Sequence, residues 1–160
     1  MAGYGDDSGF SAWLAENGYT LPEGSPAPAI LRQRGSAYID ATYGPRFLGV
    51  PTNSEQEREW PRTGATIFGT PLASDVIPDR VVKASYQAAY IAATNPSALS
   101  VVIDPARRVK RQKVDSIERE FFDGGEGAGT VVTASLSSDI EGLLAPLLGP
   151  VGGFPAILVV

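Results

Sequence analysis

The chain contains no histidine and no cysteine. Those absences remove the commonest general base, the commonest metal ligand and the thiol nucleophile. Disulfides go with them, which fits a cytoplasmic product. Any chemistry would fall to carboxylate pairs or to a Ser–Lys arrangement, and neither is well placed. Asp6, Asp7, Glu55, Glu57 and Glu59 stand in stretches that read as exposed. Lys83 and Ser85 are two apart in a predicted helix and so do not face each other. No acidic cluster has the spacing of a calcium loop or a two-metal centre. The expectation is a protein that is not an enzyme, with no catalytic residue, no cofactor and no metal.

Long apolar runs and basic charge are also scarce. No stretch approaches the roughly 18 apolar residues of a membrane span, so none is expected. The opening MAGYGDDSGF lacks the basic-then-apolar order of a signal peptide. Lysine and arginine total 13 against 18 acidic residues, for a net charge of −5. A protein that coats nucleic acid carries a basic footprint, and this chain as a whole does not. The exception is one strip over residues 107–113, formed by Arg107, Arg108, Lys110, Arg111 and Lys113. It reads either as a solvated charged strand or as a contact with DNA phosphates or an acidic partner. It holds no aromatic residue, whereas a single-strand groove interleaves basic and stacking side chains.

What is present is one domain's worth of chain, 160 residues with 43% hydrophobic side chains. The 18 glycines and 13 prolines cluster outside two well-framed helices. The first is predicted from Ser25 as its cap and Pro26 at its first position to a left-handed stop at Gly44. Ala27, Ile30, Leu31, Tyr38 and Ala41 give it a buried stripe, with Arg32, Arg34 and Asp40 turned to solvent or a partner. Gly35 costs about 1 kcal/mol relative to alanine in a helix, and implies a neighbour that approaches closely. The second helix starts near Pro78, places Asp79 in its first turn and ends at Asn95-Pro96. Its face of Val81, Val82, Ser85, Ala88, Ala89 and Ala92 suits tight packing, within a subunit or between subunits.

A short helix is predicted over residues 8–17, carrying Phe10, Trp13 and Leu14 and stopping at Gly18, with residues 1–7 flexible. Residues 45–77 are too long for a passive connection. Pro61 forces Trp60 out of helical geometry, so Trp60 is expected to plug the core from a loop, with Arg62 beside it at the surface. Trp13, Tyr38, Trp60, Val81 and Ala88 are the expected core anchors. Residues 107–122 read as two extended segments broken at Asp115-Ser116, and residues 124–129 as a glycine linker. That linker has no following Lys-Ser/Thr, so it is not a nucleotide loop. A capping box at residues 138–141 opens a helix through Leu144, Leu147 and Leu148, shortened or kinked by Pro146. The apolar ending VGGFPAILVV either folds back or inserts into a neighbour. The expected fold is mainly α, a small helical bundle with a β-hairpin or extended segment and a long C-terminal arm. Residues 1–122 would form the helical domain, its extended segment at about 98–122, and residues 123–160 the linker, short helix and arm.

The series AILRQRGSAYIDATYGPRF, then EREWPRTGA, then IPDRVVKASYQAAYIAA resembles a family of tailed-phage and prophage proteins. These are labelled DnaT-like single-stranded-DNA-binding proteins and are similar to head–tail connector, or adaptor, proteins that dock beneath the portal. VKRQKVDSIEREFF and IEGLLAPLL extend the resemblance over residues 8–148. It implies a virion protein made in the host cytoplasm, a twelve-fold ring between the portal and a neck, stopper or tail-terminator protein. Double-stranded DNA would pass through the lumen without sequence-specific contact. Arg107, Arg108, Lys110, Arg111 and Lys113 would then face a partner or the channel. Phe154, Ile157, Leu158, Val159 and Val160 would form a portal-binding arm. The alternative is a single-stranded-DNA-binding replication accessory.

Overall fold

A computed structural model describes residues 3–99 and 138–149, together with the backbone of residues 101–102, 113–114, 117–118 and 132–133. The first helix, α1 (Asp7–Glu16), is capped by Asp6, whose carboxylate accepts the Gly9 amide at 2.7 Å. Those bonds, the Ser8 hydroxyl first, hold the Asp6 carboxyl below its ordinary range. Gly18, at φ 68°, turns the chain out of the helix.

The second helix, α2 (Pro28–Tyr43), starts later than its sequence frame implies. Ala27 precedes Pro28 and is held extended (φ −54°, ψ 146°), so the helix cannot begin before Pro28. Ala27 supplies no side-chain cap, and the Ser25 hydroxyl donates instead to the Pro22 carbonyl at 2.6 Å. Gly44 is right-handed (φ −46°) and leads into a 3-10 turn, Gly44–Arg46. A Cβ there would meet Glu59 Cγ at 3.0 Å, so this glycine serves packing and not a left-handed stop. The buried stripe is also rotated from the predicted one. It comprises Leu31, Gly35, Ser36, Tyr38, Ile39 and Tyr43, while Ala27, Ile30 and Ala41 are exposed.

The rotation is set by α3 (Asp79–Thr94), which buries Val81, Ala84, Ser85, Ala88, Ala89 and Ala92. Gly35 meets that face so closely that an added Cβ would overlap the Ser85 carbonyl oxygen and stand 2.6 Å from the Ala89 nitrogen. The small residues of both helices are therefore used inside one subunit. Next, α4 (Ser138–Leu144) and a 3-10 turn around Pro146 (Ala145–Leu147) close the same core, with Ile140, Leu144 and Leu147 fully buried. Leu48 donates to the Leu147 carbonyl at 3.0 Å and Gly149 to that of Arg46 at 2.7 Å. Residues 138–149, assigned from sequence to the arm, thus contribute to the core of the body.

Between α2 and α3 the chain forms two short antiparallel ladders. β1 (Val50–Pro51) pairs with β2 (Arg62–Thr63), and β3 (Thr66–Ile67) with β4 (Thr70–Pro71). Beyond α3, β5 (Val101–Val102) pairs antiparallel with β8 (Val132–Thr133), and β6 (Lys113–Val114) with β7 (Ile117–Glu118). The second pairing places a turn at Asp115-Ser116, as the sequence break indicates. The first was not foreseen; it joins residues on either side of the glycine linker, so the chain leaves and re-enters the body at one place. The fold is mainly α: four helices among the described residues, with small ladders attached.

Candidate functional site

Residues 3–7, expected to be flexible, are bound to the body by a polar network. The chain there lies across α2, where the Arg32 guanidinium donates to the Gly3, Tyr4 and Gly5 carbonyls, the last at 2.7 Å, and pairs with Asp7 at 2.7 Å. The Tyr4 amide donates to Ser36 Oγ at 2.8 Å, and its hydroxyl donates to Asp40 at 2.5 Å. The same hydroxyl accepts the Trp60 amide at 3.2 Å. Arg58 pairs with Asp40 at 3.2 Å and lies over the Tyr4 ring. Burial pushes the Tyr4 phenol up, reinforced by the Asp40 carboxylate. Burial also pushes the Asp40 carboxyl up, against the pull of Tyr4 and Arg58. Arg32 and Asp40 are thus structural and not solvated, a role the helical spacing could not reveal.

Arg62 departs further from expectation. It is only 5% exposed, and its guanidinium donates to the carbonyls of Leu48 at 3.1 Å, Gly49 at 2.8 Å and Glu59 at 3.2 Å, besides the Glu59 carboxylate at 2.6 Å. A two-residue strand leaves its flanking carbonyls without ladder partners, and the five donors of an arginine can satisfy several at once. Arg62 therefore holds the loop together around Trp60, which is 2% exposed and packs edge-on to Phe47 at 5.5 Å. Trp13, Tyr38, Val81 and Ala88, the other expected anchors, are buried too.

These pairings leave the body with little cationic surface. Arg32, Arg46, Arg58, Arg62 and Lys83 are in ion pairs with Asp7, Glu141, Asp40, Glu59 and Asp79. Arg80 lies 5.4 Å from the centre of the Phe68 ring and donates weakly to the Leu143 carbonyl at 3.4 Å. Arg34 is exposed. Among the described residues, no group of three or more His, Cys, Asp or Glu could hold a metal, and no helix is long and apolar enough to cross a membrane.

The basic strip lies outside the described residues, except that the Lys113 backbone forms part of β6. Phe154, Ile157, Leu158, Val159 and Val160 lie outside them too. The strip is therefore carried on the excursion between β5 and β8, away from the helix faces that build the core. Two surface features went unnoticed in the sequence. Phe68 is 76% exposed at the tip of the β3–β4 hairpin. An open cavity of about 700 Å³ lies among α1, α3 and α4, lined by Trp13, Tyr19, Lys83, Gln87 and Leu143, with Glu16 and Asp139 at its edge.

Comparison with curated proteins gives no match, and comparison with solved structures gives none. A family model described as Putative DnaT-like ssDNA binding protein matches residues 4–159, and the chain belongs to that family.

Proposed function

We propose that the protein is a non-catalytic structural subunit of a phage virion: a head–tail connector that assembles as a ring, docks on the portal and joins it to the neck or tail. One observation carries this reading. The cations of the folded body are used internally, five of them in ion pairs, so its surface is acidic and offers phosphates little to hold. A ring around passing DNA works best without gripping it. The same chemistry is a handicap for a protein whose task is to hold single strands. The ring would be twelve-fold by the resemblance, with the arm at residues 154–160 in the portal and the protein residing in the virion neck. No cofactor, metal or membrane enters this reading.

A second reading, a single-stranded-DNA-binding replication accessory, is favoured by the description of the family. In it the five basic residues at 107–113 carry nearly all the contact, because the body supplies little. Mass measured by light scattering separates the two, on the full-length protein alone and mixed with purified portal ring. A stoichiometric complex of many copies per portal ring is expected. A protein that stays monomeric beside the portal, yet binds oligonucleotides with a steep salt dependence, would overturn the connector reading and support the second.

A further inference from the structure

Phe68 is in the wrong place for a residue that serves only the fold. Its backbone is left-handed (φ 49°), and Gly69 beside it is left-handed as well (φ 80°). Together they make the two-residue turn of a β3–β4 hairpin, where asparagine or glycine is the usual occupant. A bulky aromatic side chain in that conformation is strained, and asparagine or aspartate would relieve it. Burial does not compensate, since three-quarters of the side chain is in water. The one contact it makes with a charged group is Arg80, whose guanidinium lies over the ring. Arg80 has no carboxylate partner among the described residues. Val76 and Ile77, both partly exposed, lead into α3 just before Arg80. An exposed aromatic and an unspent arginine ringed by apolar side chains are the composition of an interface anchor.

The chain also carries a receptor of matching chemistry. The floor of the cavity is aromatic and aliphatic, from Trp13, Tyr19 and Leu143, and its 700 Å³ accommodates an aromatic side chain. Glu16 and Asp139 stand at its edge and make no ion pair among the described residues. An apolar knob beside a cation thus faces an apolar hole beside two carboxylates. We propose that Phe68 of one copy seats in the cavity of the next, with Arg80 meeting Glu16 or Asp139 of that next copy. Knob and hole are different patches, so the contact is heterologous, the kind that generates rings when its rotation closes. This inference rests on the proposed ring and names the residues that would join its subunits.

The absence of cysteine makes the test free of background thiols. Full-length Phe68→Cys protein is mixed with full-length Gln87→Cys or Asn17→Cys protein, beside portal ring, and treated with a short bismaleimide. Both partner positions line the cavity. Linked heterodimers are expected in the mixtures and not with either variant alone. Arg80→Glu is expected to weaken assembly about tenfold, and adding Asp139→Arg to restore it. The mass of the unaltered protein beside the portal is recorded in parallel. If it assembles but no mixed cross-link forms and Arg80→Glu has no effect, this contact is wrong and the ring reading stands. If it stays monomeric, both fail together.

Discussion

Trp60 and Phe68 belong to the same connection between α2 and α3, and their fates are opposite. Trp60 is 2% exposed and Phe68 is 76% exposed. Around Trp60, polar groups are matched: its amide donates to Tyr4, and Arg62 collects the neighbouring carbonyls. Around Phe68 the backbone is strained and the nearby cation has no carboxylate. The difference teaches that a single loop can do two jobs. Its first half completes the core that two small-residue helices leave unfilled. Its second half is shaped against its own local preference, which makes sense when the benefit comes from another molecule.

Breaking the inner half is expected to have the largest effect. Trp60→Ala removes the largest fully buried side chain and should cost about 3–5 kcal/mol, read as a fall in the urea midpoint. Arg62→Met, which keeps the aliphatic stem, should cost about 2–3 kcal/mol because several buried carbonyls lose their donor. Gly35→Ala tests the helix contact on which the loop rests. Its Cβ would meet Ser85 and Ala89 backbone, and a loss of about 1–3 kcal/mol is expected where an exposed helical glycine would gain. An equal or higher midpoint in any of the three would contradict the packing described.

The smallest effect has the opposite sign. The Tyr43 hydroxyl is buried with no hydrogen-bond partner among the described residues, so Tyr43→Phe should stabilise by about 1 kcal/mol. Burial pushes the Tyr43 phenol up to about 12 from a usual value of 10.0. The folded state therefore keeps a proton that the unfolded chain releases. That stability is fully present below pH 10 and is lost as pH rises toward about 12. Tyr4, shifted in the same direction, adds to the loss. The urea midpoint measured between pH 8 and pH 11.5 should fall above pH 10, less steeply in Tyr43→Phe, at the values set by those shifts.

The parts legible in the sequence were those set by local pattern. The helices at Asp7–Glu16 and Asp79–Thr94 follow from their spacing, glycine or proline stops and first-turn acids. The mainly α class follows from them. The start of α2 was misplaced because two prolines compete, and only the second is followed by helix. Its buried face was misread because Gly35 and Ser36 look like interruptions, although a close backbone approach needs small residues there. The hold on residues 3–7 was out of reach: Tyr4 finds its partners 36 and 56 residues away. Arg62 reads as surface on composition, since charged residues rarely bury without several acceptors, and those acceptors are loop carbonyls. Phe68 reads as core for the same reason. The adjacent Gly69 was the available hint that a tight turn would expose it.

Phe68→Asn gives the most direct test of a loop that folds the chain with one half and assembles it with the other. Its melting temperature and its mass beside the portal ring are measured with those of the unaltered protein. Asparagine suits the left-handed turn, so the melting temperature should stay level or rise while the multi-copy complex is lost. A lower melting temperature with the complex intact would show that Phe68 serves the fold and not the assembly.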